Sequence, residues 1–128
     1  MITDMKYASN GYHCKHRRNK VVRKEYEHMK LMILSHNNES NKNTETWDDV
    51  LKIHIEESDE LIVAIKAGDK SSIEEETMDQ LQVCLGILDK LEREGTNLEE
   101  LFNRHNRKLV KRFWKDKGVI KIQWAKNV

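Results

Sequence analysis

Two acidic clusters, Glu56-Glu57-Ser58-Asp59-Glu60 and Glu76-Thr77-Met78-Asp79, stand on either side of a short polar turn, Ala67-Gly68-Asp69-Lys70-Ser71. Each cluster is interleaved with apolar residues at helical spacing, so the chain is constrained to fold here as two adjacent helices with carboxylates beside their core stripes. A carboxylate in that position is costly unless something cationic meets it. Four carboxylates leaning inward from two such helices make a site for a hard divalent cation such as Mg²⁺.

The rest of the chain favours helices as well. There is no proline and there are only five glycines in 128 residues, which removes the usual helix breakers. Residues 1–17 lack periodicity and read as an irregular lead-in. Val21, Val22, Tyr26, Met29, Leu31, Met32 and Ile33 suggest a first helix over about 18–35. The asparagine-rich stretch His36 to Thr44 is a loop by composition. Thr46 caps a second helix, with Asp49 completing a capping box and Val50, Leu51, Ile55, Leu61, Ile62 and Ile65 as its apolar face. Ser72 with Glu75 offers a capping box for a third helix, running to about Glu94 and stopped by Gly95. Asn97 with Glu100 caps a fourth. After Gly118 the weak alternation of Val119, Ile120, Ile122 and Trp124 suits a short strand or an arm onto a partner. The expected fold is therefore all-α: a bundle of about four helices with an antiparallel acidic hairpin, completed by oligomerisation. Its expected divisions are the lead-in 1–17, a helical domain 18–117 and a tail 118–128.

The heights of the two clusters agree. Glu60 lies seven residues before the turn and Glu76 five after it, so in an antiparallel hairpin they differ by about one turn or less at roughly 1.5 Å per residue. Glu56 and Glu60 are four apart and Glu76 and Asp79 three apart, so each pair shares a helical face. The net charge is only +1, but basic residues dominate from Lys15 to Lys30 and from Arg104 to Lys126. An acidic site is thus flanked by groups suited to an anion. No run approaches the ~18 apolar residues of a membrane span. The N-terminus lacks an apolar signal region, and the two cysteines make no disulfide framework. The chain reads as cytoplasmic.

Taken in order, Glu56, Glu57, Glu60, Glu76 and Asp79 form a Glu-Glu-x-x-Glu cluster, a fifteen-residue spacer and a Glu-x-x-Asp cluster. This resembles the all-α nucleoside triphosphate pyrophosphohydrolases of the MazG type, with Trp47 and Lys52 preceding the first cluster as aromatic and lysine residues do in relatives. The resemblance covers roughly residues 46–112. It implies Mg²⁺-dependent (or Mn²⁺-dependent) hydrolysis of a nucleoside triphosphate to the monophosphate and pyrophosphate. By the same resemblance Glu56, Glu60, Glu76 and Asp79 hold metal, and Glu57 is the catalytic candidate, either a further ligand or the group that orients the attacking water. Asn106, Lys108, Lys111 and Arg112 on the last helix, with Trp47 and Lys52, are the implied substrate contacts. Relatives are dimers or tetramers, and a two-helix hairpin does not by itself enclose a nucleotide, so a homodimer or homotetramer is expected.

Other features carry blander readings. His13, Cys14 and His16 lack a fourth zinc ligand. The Lys15 to Lys20 run has no reading helix beside it, so nucleic acid is not an expected partner. His54 is a surface or interface histidine, and Cys84 a small core residue. Trp47 has two readings, packing at a helix start or stacking on a nucleobase. The alternative to an enzyme is a non-catalytic helical module that binds nucleotide, nucleic acid or a protein partner.

Overall fold

The computed structural model describes residues 23–34 and 45–127. The expected lead-in, the His13/Cys14/His16 group and the loop His36–Thr44 lie outside them. The chain divides into a unit Met1–Lys30 and a unit Leu31–Val128, and the second holds every helix among the described residues. These are α1 (Trp47–Ala67), α2 (Lys70–Arg93) and α3 (Leu98–Lys111). The fold is all-α, and none of these helices is long and apolar enough to cross a membrane.

Local chemistry sets each boundary. The Asp49 amide donates to Thr46 Oγ1 at 3.1 Å while the Thr46 amide donates to Asp49 Oδ2 at 2.9 Å, a complete capping box at the start of α1. Gly68 ends the helix with φ 73°, a left-handed conformation that costs a glycine little, and its N–H reaches the Ala64 and Ile65 carbonyls at 3.1 Å. Only Gly68 and Asp69 then separate α1 from α2, so the two helices are forced into an antiparallel hairpin. The cap of α2 lies three residues before the expected Ser72. Asp69 is its N-cap, and Ser72 Oγ donates to Asp69 Oδ2 at 2.5 Å. At its other end the Thr96 and Gly95 amides bond the Leu91 and Glu92 carbonyls at 2.9 and 3.0 Å, a Schellman motif with Gly95 at φ 104°. Asn97 caps α3 by accepting from the Glu100 amide at 3.0 Å.

The expected first helix is absent over its described part: residues 23–34 have no helical turn. Leu31 and Ile33 are half-buried and Met32 and Leu34 exposed, so the apolar run is read with period two rather than 3.6. An isolated helix of that length is marginal without a packed face, and Tyr26 and Met29 are exposed. The segment instead lacks regular secondary structure, and Gln82 Nε2 on α2 donates to the Met32 carbonyl at 2.8 Å. Over its described residues the tail forms no strand. It returns to its own chain, where Lys126 bonds Asp89 Oδ1 at 2.7 Å and pairs with Glu92 at 2.6 Å.

The extensive helix packing among the described residues is α1 on α2. On α1 the inward positions are Val50, His54, Glu57, Leu61 and Ala64, spaced four, three, four and three apart. On α2 they are Ile73, Glu76, Gln80, Val83 and Ile87, in the same alternation. The seam is apolar at its ends and polar in its middle. The expected apolar face of α1 therefore splits: Val50 and Leu61 turn toward α2, while Leu51, Ile55 and Ile62 form a second stripe that is 53, 51 and 48% exposed. Cys84, expected in the core, is exposed.

Candidate functional site

The middle of the hairpin seam gathers carboxylates. One oxygen each from Glu57, Glu76 and Asp79 lies within 4.8 Å of the others, a donor set suited to a hard cation. Glu57 and Glu76 are half-buried, and Glu57 Oε2 and Glu76 Oε2 are shielded from solvent with no hydrogen-bond partner. A buried acceptor left in that state carries its full desolvation cost. The trio has oxygens to spare and no protein cation among its described partners, so its chemistry fits a divalent metal ion.

The electrostatics follow from the geometry. Burial pushes the Glu57 carboxyl above the usual range, and Glu60, Asp79 and Glu56 add to the effect. Glu76 is also raised, first by burial, then by the Glu60 charge and a hydrogen bond with it, then by Asp79 and Glu57. Glu57 and Glu76 resist ionisation first because they are shielded from water and then because their neighbours carry the same charge. A cation brought among them would reverse that.

Glu57 belongs to the seam for a periodic reason. Counted within its own acidic run, Glu56 pairs with Glu60; counted from Val50 and His54 on to Leu61 and Ala64, Glu57 is the inward residue. Glu56 and Glu60 are both exposed, on the flank of α1 beside the seam. Glu60 still joins the cluster through Glu76, and both line an open depression beside the turn with Ala64 and Ser72. Glu56 acts on Glu57 only as a nearby charge.

The remaining candidates lie elsewhere. Trp47 is ten residues before Glu57, about 15 Å along the helix axis. Its indole N–H donates to Glu94 at 3.1 Å, and Lys90 Nζ sits 5.1 Å from a ring centroid. Lys52 is exposed on α1. Asn106, Lys108, Lys111 and Arg112 are exposed on α3 and its C-cap, and among the described residues no hydrogen bond or ion pair joins them to the carboxylates. One polar group escaped the sequence reading: Gln80, which sits on the seam next to Asp79. Its signal was its place in the 73–76–80–83–87 alternation, where an apolar residue is the ordinary occupant.

Residues 45–115 match the family model of the MazG nucleotide pyrophosphohydrolase domain, more than half of the chain. No curated protein and no solved structure matches it significantly.

Proposed function

The chain belongs to the MazG nucleotide pyrophosphohydrolase family, and from that membership and the carboxylate geometry we propose that it hydrolyses a nucleoside triphosphate to the monophosphate and pyrophosphate with Mg²⁺ or Mn²⁺. The observation that carries this reading is the seam trio: Glu57, Glu76 and Asp79 converge, and two of their oxygens are buried without a partner. These three hold the ion, and Glu60 adjoins them through Glu76. The bound cation supplies charge neutralisation along the phosphate chain and a more acidic water. With Glu57 drawn into the trio, Glu60, exposed beside Glu76, is the carboxylate left to accept the proton of the attacking water. The basic side of α3, with Lys108, Lys111 and Arg112, is the proposed source of phosphate contacts.

A homodimer or homotetramer belongs to the same proposal. Among the described residues only Val50 and Ala64 are buried apolar residues, and no large side chain is fully buried. A domain of this size ordinarily builds its core on more than that. The Leu51/Ile55/Ile62 stripe gives a second copy an apolar face to cover. Light scattering at micromolar concentration is expected to give a multiple of the 15.2 kDa chain mass, and a monomeric mass contradicts this part.

The activity is tested by pyrophosphate release from a panel of ordinary and modified nucleoside triphosphates with Mg²⁺. Turnover of at least one substrate, abolished in Glu76→Gln and in Asp79→Asn, is the expected result. No turnover across the panel, or variants as fast as the parent, overturns the reading.

A further inference from the structure

A second polar group shares the seam with the carboxylates. Gln80 on α2 faces two residues of α1: Ser58 Oγ donates to Gln80 Oε1 at 3.4 Å, and Gln80 Nε2 lies 3.4 Å from His54 Nδ1. His54 and Ser58 are four apart, one helical turn, so a single amide spans that turn of α1. All three residues are half-buried. Ser58 follows Glu57 directly, and Gln80 follows Asp79. The amide therefore joins the two helices at the level of the carboxylate trio, one residue from a proposed ligand on each side.

At 3.4 Å both bonds are long, and neither holds the helices together by strength. Burying polar groups on an interhelical seam is costly beside the apolar alternative. Apolar side chains at 54 and 80 would continue the Val50, Leu61, Ile73 and Ile87 packing in both directions. What the polar layer provides is direction. An apolar contact lets one helix rotate or slide over the other by a fraction of a turn, whereas an amide with a donor on one side and an acceptor on the other fixes the rotation. Rotation is also what decides whether Glu76 and Asp79 face Glu57. Mutual repulsion among the carboxylates pushes them apart, so their convergence needs a constraint that apolar packing does not supply.

We propose that Gln80, held between His54 and Ser58, is a positioning residue that fixes the face of α2 carrying Glu76 and Asp79 against Glu57 of α1 and so sets the affinity of the site for its divalent ion. The inference rests on the metal-binding reading of the trio. Gln80 contacts neither ion nor substrate in this role. Its partners orient it much as outer-layer groups orient metal ligands elsewhere.

The test is a titration of metal-free protein with Mn²⁺ alone by calorimetry, with the melting temperature of the metal-free protein measured in parallel, on the parent, Gln80→Leu and Ser58→Ala. Leucine at 80 fits the seam, so the metal-free melting temperature is expected to stay level or rise, while the Mn²⁺ dissociation constant rises by about tenfold. Ser58→Ala is expected to weaken binding by a smaller factor, and to add nothing in the Gln80→Leu background because the bond it removes is already gone. A purely structural Gln80 would lower the melting temperature without this divergence. Parent-like Mn²⁺ affinity in Gln80→Leu overturns the inference and leaves the metal site standing. A parent that binds no Mn²⁺ overturns both.

Discussion

The open end and the middle of the α1–α2 hairpin treat inward carboxylates in opposite ways. Near the open end Asp89 is only 5% exposed, yet each of its oxygens meets a cation: Lys126 on Oδ1 at 2.7 Å and Arg93 on Oδ2 at 3.1 Å. Burial pushes its carboxyl up, but those two hydrogen bonds and charges outweigh it and hold the group below the usual range. Lys90, also buried, bonds the Glu45 carbonyl, pairs with Glu94 and lies over Trp47. Toward the turn, Glu57 and Glu76 meet only other carboxylates, and both are raised. The chain brings a lysine from 37 residues away to satisfy one aspartate and brings no described cation to a cluster of four carboxylates on the same helices. Where the protein closes its own charge the result is structural. Where it leaves charge open, the proposed counter-charge is a cation from solution.

The contrast breaks first at the acidic middle. Glu76→Gln or Asp79→Asn is expected to cut pyrophosphate release by about a hundredfold or more, because each removes a donor from the trio. Asp89→Ala is expected to leave that chemistry intact and to cost about 1–2 kcal/mol in urea unfolding, discounted because Arg93 and Lys126 are about 30% exposed and can rehydrate. If Asp89→Ala instead removed activity and spared stability, the division between the open end and the middle would be wrong.

Neutralising the middle has the reverse sign. Glu57→Gln relieves repulsion, so the metal-free protein is expected to melt at a higher temperature while its response to Mg²⁺ is lost. The pH dependence separates the two regions too. Folded Glu57 and Glu76 hold protons above the ordinary glutamate range, so their contribution favours the fold below that range and is lost as pH rises through the raised values. Asp89 is lowered, so its contribution is present above the ordinary aspartate range and is lost as pH falls through its folded value. Melting temperature against pH is therefore expected to lose part of its decline as pH rises above the ordinary glutamate range in Glu57→Gln, and part of its decline as pH falls below the ordinary aspartate range in Asp89→Asn. The smallest effect belongs to Trp47→Phe, which removes the bond to Glu94 and keeps a ring for Lys90: about 0.5 kcal/mol of stability. A fall in nucleotide affinity with unchanged stability would return Trp47 to a substrate role.

Much of the hairpin was legible in the sequence, because the signals that set it are local. Thr46 with Asp49, Gly68, Gly95 and Asn97 act within one turn of themselves, and each is found at the boundary it marks. The convergence of the two acidic clusters followed from counting residues to the turn. Glu57 was read as the catalytic candidate, either a further ligand or the group that orients the water, and stood outside the four carboxylates paired by spacing, because the acidic run suggests its own i,i+4 pairing while the seam is set by Val50, Leu61 and Ala64. The α1 apolar residues were read as one face, yet a helix in a two-helix contact turns inward only part of such a face. The run from Leu31 to Leu34 has too few residues to distinguish period two from 3.6, and a non-helical form prevails where α2 offers Gln82 to its backbone. The Lys126–Asp89 contact joins residues whose sequence separation no local rule spans.

The central claim is that the counter-charge missing from the middle of the hairpin is a divalent cation. It is tested most directly by titrating Mg²⁺ into metal-free protein at pH 8 and following the melting temperature in the parent and in Glu76→Gln. A saturable rise in the parent that is absent in the variant is the predicted result; equal rises in both, or none in either, would contradict it.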